Sequence, residues 1–99
     1  MKVRFTPRAR GRARIVTVWW RAHRTKAPDL FEHELESAVQ RLAADPQLGL
    51  FYATIAGRTI RRFLLSKSEQ HVYYSANDAT QTVIILNIWG ARRGRAPRL

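Results

Sequence analysis

Three β-rich runs follow one another in the second half of the chain and constrain its fold more than any other feature. They cover Thr59–Ser66, His71–Ser75 and Thr82–Trp89. Valine, isoleucine, tyrosine and phenylalanine favour strands, and the links between the runs carry turn-forming residues. Consecutive strands with hairpin-sized links predict an antiparallel meander. The segment Leu50–Ile55 is a candidate for a further short strand.

The first half of the chain has the pattern of a strand followed by two helices. Residues 2–6 alternate polar and apolar side chains, as a half-buried strand does. Thr6 is a suitable N-cap for a helix, and Pro7 suits the first helical position. The helical pattern continues over residues 8–24. Asp29 begins a second helix with a capping box, and Asp45-Pro46 ends it. The predicted order is β-α-α-β-β-β, an α+β fold in which a helical hairpin packs on a small antiparallel sheet and the first strand joins beside it or at its edge.

Apolar residues divide the first helix into two faces. At about 100° per residue, one face is predicted to be buried. It carries Ala9, Ala13, Val16, Trp20 and His23. A second apolar arc consists of Ile15, Trp19 and Ala22. Arginines interrupt this arc, so we expect it to face a second helix or a partner.

The chain is too short for more than one core. Ninety-nine residues bury only roughly 60–65% of the unfolded surface, which predicts a single domain over residues 1–99. The absence of cysteine excludes disulfides and thiolate metal sites and is compatible with a reducing cytosol. The start of the chain has no apolar segment of signal-peptide length, and no apolar run approaches the roughly 18 residues of a membrane span. We therefore expect a cytoplasmic protein.

Positive charge is the strongest compositional bias. Eighteen Lys and Arg residues against seven Asp and Glu residues give a formal net charge of +11. Most of the basic residues lie in the first 26 residues and after residue 57, whereas most of the acids lie between them. Arginine presents a rigid fork of donors that suits phosphate and carboxylate groups. The bias therefore predicts a polyanionic or strongly acidic partner.

The end of the chain is the first candidate for a binding site. Residues 90–99 form a basic tail, rich in Arg, that we expect to be mobile until a partner orders it. Trp89 directly precedes the tail arginines Arg92, Arg93 and Arg95. An aromatic side chain beside arginines is a common anchor of an interface. The alternative is that Trp89 closes the core in phase with the preceding strand residues.

The strands carry the second candidate, a reactive cluster of Arg61, Arg62, His71 and Tyr73. If the sheet brings an arginine close to His71 or Tyr73, the guanidinium could stabilise charge on a phosphate while the other group moves a proton. Such a cluster would cleave RNA without a metal. The alternative is that the tyrosines serve the core, with Tyr74 packed inward and its hydroxyl at the rim. His23 and His33 lie on the predicted helices without a cysteine or an acid at ligand spacing on the same face, so neither a metal nor a cofactor is expected.

Short segments spread over nearly the whole chain share their order and spacing with one family of small bacterial proteins. They are Val3–Thr6, Trp19-Trp20, Phe31–Leu35, Asp45–Gly49, Arg61–Leu65, His71–Tyr74 and Ile88–Arg93. In these segments the chain resembles the RelE/ParE superfamily of toxins from type II toxin–antitoxin modules, and its ParE-like branch in particular. The resemblance implies a toxin that is neutralised by a co-expressed antitoxin wrapped around the helical hairpin and the sheet.

The two branches of this superfamily have different targets. ParE-type toxins inhibit DNA gyrase and turn it into an enzyme that breaks DNA, whereas RelE-type toxins cut messenger RNA on the ribosome. In this chain the last strand ends in Trp89-Gly90-Ala91, where nuclease branches often have a histidine-arginine pair. This difference favours the gyrase inhibitor, which needs no catalytic residues.

The resemblance and the residue patterns together predict the following sites. Contacts to the target are expected at Trp89, Arg92, Arg93 and Arg95, and contacts to the antitoxin at Arg12, Ile15 and Trp19. The first alternative is a ribosome-dependent endoribonuclease that uses Arg61, Arg62, His71 and Tyr73. The second is a general basic module that binds nucleic acid through its charge.

Overall fold

The computed structural model describes residues 1–99 and contains two helices and five strands in the order β-α-α-β-β-β-β. The strands are β1 (Lys2–Phe5), β2 (Leu50–Ile55), β3 (Arg58–Leu65), β4 (Gln70–Asn77) and β5 (Thr82–Gly90). The helices are α1 (Pro7–His23) and α2 (Leu30–Ala44). The α+β class and the two helices are confirmed. Neither helix is long and apolar enough to cross a membrane.

The five strands form one mixed sheet in the order β1-β5-β4-β3-β2. Strands β2 to β5 are the predicted antiparallel meander, whereas β1 pairs with β5 in parallel. The predicted small antiparallel sheet is therefore a mixed one, and the chain has one strand more than the predicted order β-α-α-β-β-β. Because β2 is a full strand running opposite to β1, the three hairpins that follow reverse the chain three times. The last strand then runs in the same direction as the first.

Thr6 links the first strand, the first helix and the last strand. Its hydroxyl accepts a hydrogen bond from the amide of Ala9 (3.1 Å), the N-cap interaction predicted from the sequence. The same hydroxyl donates to the carbonyl of Leu86 (3.1 Å), and the amide of Thr6 donates to the carbonyl of Ile85 (3.0 Å). The start of α1 is thus attached to the edge of β5, at the point where β1 ends.

The capping box predicted at the start of α2 does not form. Asp29 occupies the N-cap position but makes no side-chain hydrogen bond to the helix. Its carboxylate lies 3.5 Å from Arg21 of α1, and Glu32 pairs with the same guanidinium. Both acids are therefore drawn to the arginine that closes the helical hairpin.

The two helices cover one face of the sheet and form the core with it. The buried core residues are Ala9, Val16, Trp20, Phe31, Ala38, Leu42, Leu65, Val72, Tyr74, Val83, Ile85 and Ile88. The predicted inner face of α1 is confirmed except for His23, which is exposed and whose ring stacks on Trp19. The second arc of α1 is open to solvent, with 58% of Ile15 and 43% of Trp19 exposed.

A bulge in β5 determines which of its residues reach the core. The pairing with β4 passes from Tyr74 opposite Ile85 to Tyr73 opposite Asn87, so Leu86 has no partner. One extra residue shifts the alternation of side chains by one position. Ile85 before the bulge and Ile88 after it therefore both lie in the core.

Candidate interaction site

Trp89 is the centre of a cluster of arginines that come from both ends of the chain. It lies near the end of β5, half-buried, opposite His71 of β4. The guanidinium carbons of Arg93, Arg12 and Arg95 lie 4.2, 5.3 and 5.7 Å from the centroid of its ring. These distances are typical of cation–π contacts. We call these four residues the Trp89 cluster.

The tail, residues 90–99, folds back along β5. The indole nitrogen of Trp89 donates to the carbonyl of Arg95 (2.9 Å). The side-chain amide of Asn87 donates to the carbonyl of Arg98 (2.9 Å). Because β1 pairs only with the first half of β5, the second half has an open edge. The two hydrogen bonds place the tail against this part of β5, and its mobility in the absence of a partner stays a prediction.

The Trp89 cluster has an excess of positive charge and no acid of its own. Burial lowers the pKa of Arg12, and the charges of Arg93 and Arg95 lower it further. Arg12 remains a cation at neutral pH nevertheless. Its Nε is shielded from solvent and has no hydrogen-bond partner. The nearby acid Glu69 is engaged by Arg92 at 2.8 Å, so the cluster keeps free donors for an anionic group.

A groove runs from the Trp89 cluster along the exposed arc of α1 and has a volume of about 630 Å³. Its lining includes Arg12, Ile15, Trp19, Arg92 and Arg93. The residues predicted for the antitoxin and those predicted for the target therefore share one surface, with Arg12 between them. Trp19 is already ordered there, because its ring stacks on His23 (4.7 Å between centroids) and lies under Arg24 (5.0 Å). We call this surface the α1 groove.

The sheet face opposite the helices brings together most of the predicted reactive cluster. Arg62 is directly opposite Tyr73 in the strand pairing. The rings of His71 and Tyr73 meet edge to face, with centroids 6.0 Å apart. Tyr52, which the sequence patterns did not single out, packs on Tyr73 at 4.9 Å and lies under Arg62 at 5.3 Å. We call these four residues the sheet-face cluster.

Arg61 is separated from this cluster. Its Nη1 donates to the carbonyl of Gly49 (2.9 Å), and it lies opposite Tyr74 in the pairing. Burial lowers the pKa of His71, and the charge of Arg62 lowers it further, so His71 is neutral at pH 7. A neutral imidazole can accept a proton, but the neighbouring Tyr73 is only 3% exposed. Substrate therefore has little access to the one proton donor beside it.

Tyr74 has the structural role predicted for it. The side chain is fully buried, and its hydroxyl donates to the carbonyl of Pro46 and accepts from the amide of Gly49, both at 2.8 Å. Burial raises the pKa of this hydroxyl. A Cβ atom at Gly49 would lie 2.7 Å from the tyrosine oxygen, so the close approach requires glycine. Nowhere in the chain do three or more His, Cys, Asp or Glu side chains come together as ligands for a metal.

Comparison of the sequence with models of known families found no match, and neither did a search of curated proteins. The function is therefore inferred from the Trp89 cluster, the α1 groove and the resemblance described above.

Proposed function

We propose that the chain is a ParE-like toxin of a type II toxin–antitoxin module, which inhibits DNA gyrase and is neutralised by a cognate antitoxin. The observation that carries the proposal is the Trp89 cluster. Tryptophan and arginine are the residues most enriched among interface hot spots. Here an indole is held between arginines from α1 and from the tail. Such a surface suits an acidic macromolecular target and requires no catalytic group.

The antitoxin is proposed to occupy the α1 groove. The exposed Ile15 and Trp19 offer apolar contacts, and Arg12 offers a charged one. The matching partner is an acidic, partly apolar segment that is disordered when free and folds on binding. Because the groove continues into the Trp89 cluster, the bound segment would cover the surface proposed for gyrase. The expected neutralised form is a toxin–antitoxin hetero-oligomer in the cytoplasm.

A supercoiling assay with purified gyrase, run beside a translation-coupled mRNA cleavage assay, tests this function. We expect the protein to inhibit supercoiling and to leave mRNA intact. Arg93→Ala should weaken the inhibition, because it removes the closest cation from Trp89. Arg10→Ala is the matched control, since Arg10 is an exposed arginine of α1 outside both the cluster and the groove. Supercoiling that is unaffected at saturating protein would refute the proposal.

The sheet-face cluster supports a second candidate, a ribosome-dependent endoribonuclease. Arg62, His71 and Tyr73 share one face, and His71 is neutral at pH 7 and so able to act as a base. This function predicts mRNA cleavage that is lost in His71→Gln. Arg61, which belonged to the same predicted set, contacts the Gly49 carbonyl instead. Its substitution is expected to change stability more than cleavage.

A further inference from the structure

A second concave region lies between α1 and the tail, on the other side of Arg12 from the α1 groove. Its volume is about 690 Å³. The arginines in its lining are Arg8 and Arg12 from α1 and Arg95 and Arg98 from the tail. Asn87 and Trp89 of β5 also line it, and no acidic residue does. We call it the arginine channel.

The fold holds these four cations together without a counter-charge. Arg8 and Arg12 are one helical turn apart, a spacing at which like charges repel modestly. The tail is kept against them by the hydrogen bonds from Trp89 and Asn87 to its carbonyls. An anion that binds between like charges fixed in this way relieves their mutual repulsion. The channel therefore has the electrostatics of an anion site formed before its ligand arrives.

We propose that the arginine channel binds the phosphate backbone of a single nucleic-acid strand, independently of base sequence. Guanidinium groups line the channel on both sides, and arginine binds phosphate through paired hydrogen bonds. A positively charged groove that follows the backbone is the usual device of proteins that bind single strands without sequence preference. This activity goes beyond gyrase inhibition and does not depend on it.

An acidic peptide fits the α1 groove better than the channel. The groove offers the exposed Ile15 and Trp19 for apolar side chains, and one of its arginines, Arg92, already pairs with Glu69. The channel differs in charge, because four arginines line it and no acid does, whereas Glu69 and its partner Arg92 both line the groove. A nucleic-acid strand carries one charge on every nucleotide, so its phosphates can engage all four arginines, whereas an acidic, partly apolar segment carries fewer charges over the same length. The two surfaces therefore suit two different ligands, with Arg12 between them.

The experiment is a titration of a fluorescein-labelled oligothymidylate of fifteen nucleotides with the full chain. Fluorescence anisotropy measures the binding at several salt concentrations. Arg8→Gln combined with Arg98→Gln removes two channel charges. Arg10→Gln combined with Arg14→Gln is the matched control, because it removes two exposed arginines of α1 that line neither the channel nor the groove. Losing two phosphate contacts should weaken binding roughly 25-fold at 0.1 M salt and lower the slope of log K against log salt by about 1.4. The control pair should leave the slope unchanged.

Three results would overturn the inference. They are no binding of the oligonucleotide by the unmodified protein, equal losses in the two variant pairs, and competition by polyglutamate as strong as that by unlabelled oligothymidylate at equal charge. The same variants in the supercoiling assay separate this inference from the proposed function. If gyrase is unaffected but the variants differ in strand binding, only the toxin proposal fails. If gyrase is inhibited and no strand binds, only the channel proposal fails.

Discussion

Two adjacent tyrosines in β4 provide a matched test of what holds the sheet to the loop before β2. Tyr74 is fully buried, and its hydroxyl accepts a hydrogen bond from the amide of Gly49 and donates one to the carbonyl of Pro46. Tyr73 is 3% exposed, and its hydroxyl makes no hydrogen bond within the chain. Replacing each by phenylalanine removes the same atom from neighbouring positions. The two variants therefore differ only in the partners that are left behind.

The expected difference follows from those partners. In Tyr74→Phe, the amide of Gly49 and the carbonyl of Pro46 lose their hydrogen bonds. An unsatisfied buried polar group costs about 1–3 kcal/mol, and Gly49 is buried whereas Pro46 is half-buried. The free energy of unfolding should fall by about 2–4 kcal/mol, which lowers the melting temperature by roughly 10–20 °C in a domain of this size. In Tyr73→Phe the change should stay within about 0.5 kcal/mol.

Urea denaturation at pH 7 measures both values, and an alkaline series adds an independent readout. Burial raises the pKa of Tyr74, so the folded chain retains a proton that the unfolded chain releases above pH 10. Stability should therefore fall as the pH rises beyond 10, and Tyr74→Phe should lose this part of the decline. Equal destabilisation of the two variants would refute the argument from hydrogen bonds.

Three further outcomes are expected. Trp19→Ala should weaken antitoxin binding about 5–30-fold with a modest effect on folding. The control Trp20→Ala, in the core, should destabilise the protein by about 3–5 kcal/mol. If calorimetry finds unchanged antitoxin affinity in the Trp19 variant, Trp19 serves the fold alone. Stability should fall as the pH drops below 6.5, because the pKa of His71 is lowered by burial and by a neighbouring arginine and unfolding therefore takes up a proton. His71→Gln should remove this acid dependence in urea titrations and the exposed His33→Gln should not. Deleting residues 92–99 should abolish gyrase inhibition and cost about 1–3 kcal/mol of stability, because two side-chain hydrogen bonds to the tail are lost; a truncated protein that still inhibits gyrase would exclude the tail from the target contact.

Local patterns were sufficient to predict most of the elements. The cap at Thr6, the turns between the strands and the alternation within them all depend on residues close in sequence. The buried face of α1 followed from its period, and only His23 at its last turn was wrong, because the helix extends past the core there. The segment Leu50–Ile55 was the least certain strand. Its presence changed the sense of the pairing between β1 and β5.

The candidate site depended on contacts that no local pattern reveals. A bulge at Leu86 shifts the end of β5, and a second irregularity at Tyr52 brings that side chain onto the sheet-face cluster. Neither bulge carries the glycine that would mark it in the sequence. The tail is held against β5 by two side chains near the end of that strand. Asn87 was not predicted as a site residue, because an asparagine inside a strand gives no sign of the distant carbonyl to which its side chain donates.

The parallel pairing of β1 with β5 affects when the candidate interaction site forms during folding. Residues 2–5 pair with residues 82–85, so the first strand has no partner in the sheet until the residues of β5 have been synthesised. Contacts of such long sequence separation form late and slow the folding of a domain. Arg12 and the tail arginines meet around Trp89 only after this step. We therefore expect the interaction site to be assembled late in folding, which leaves an interval in which the proposed antitoxin could bind the chain before the site is complete.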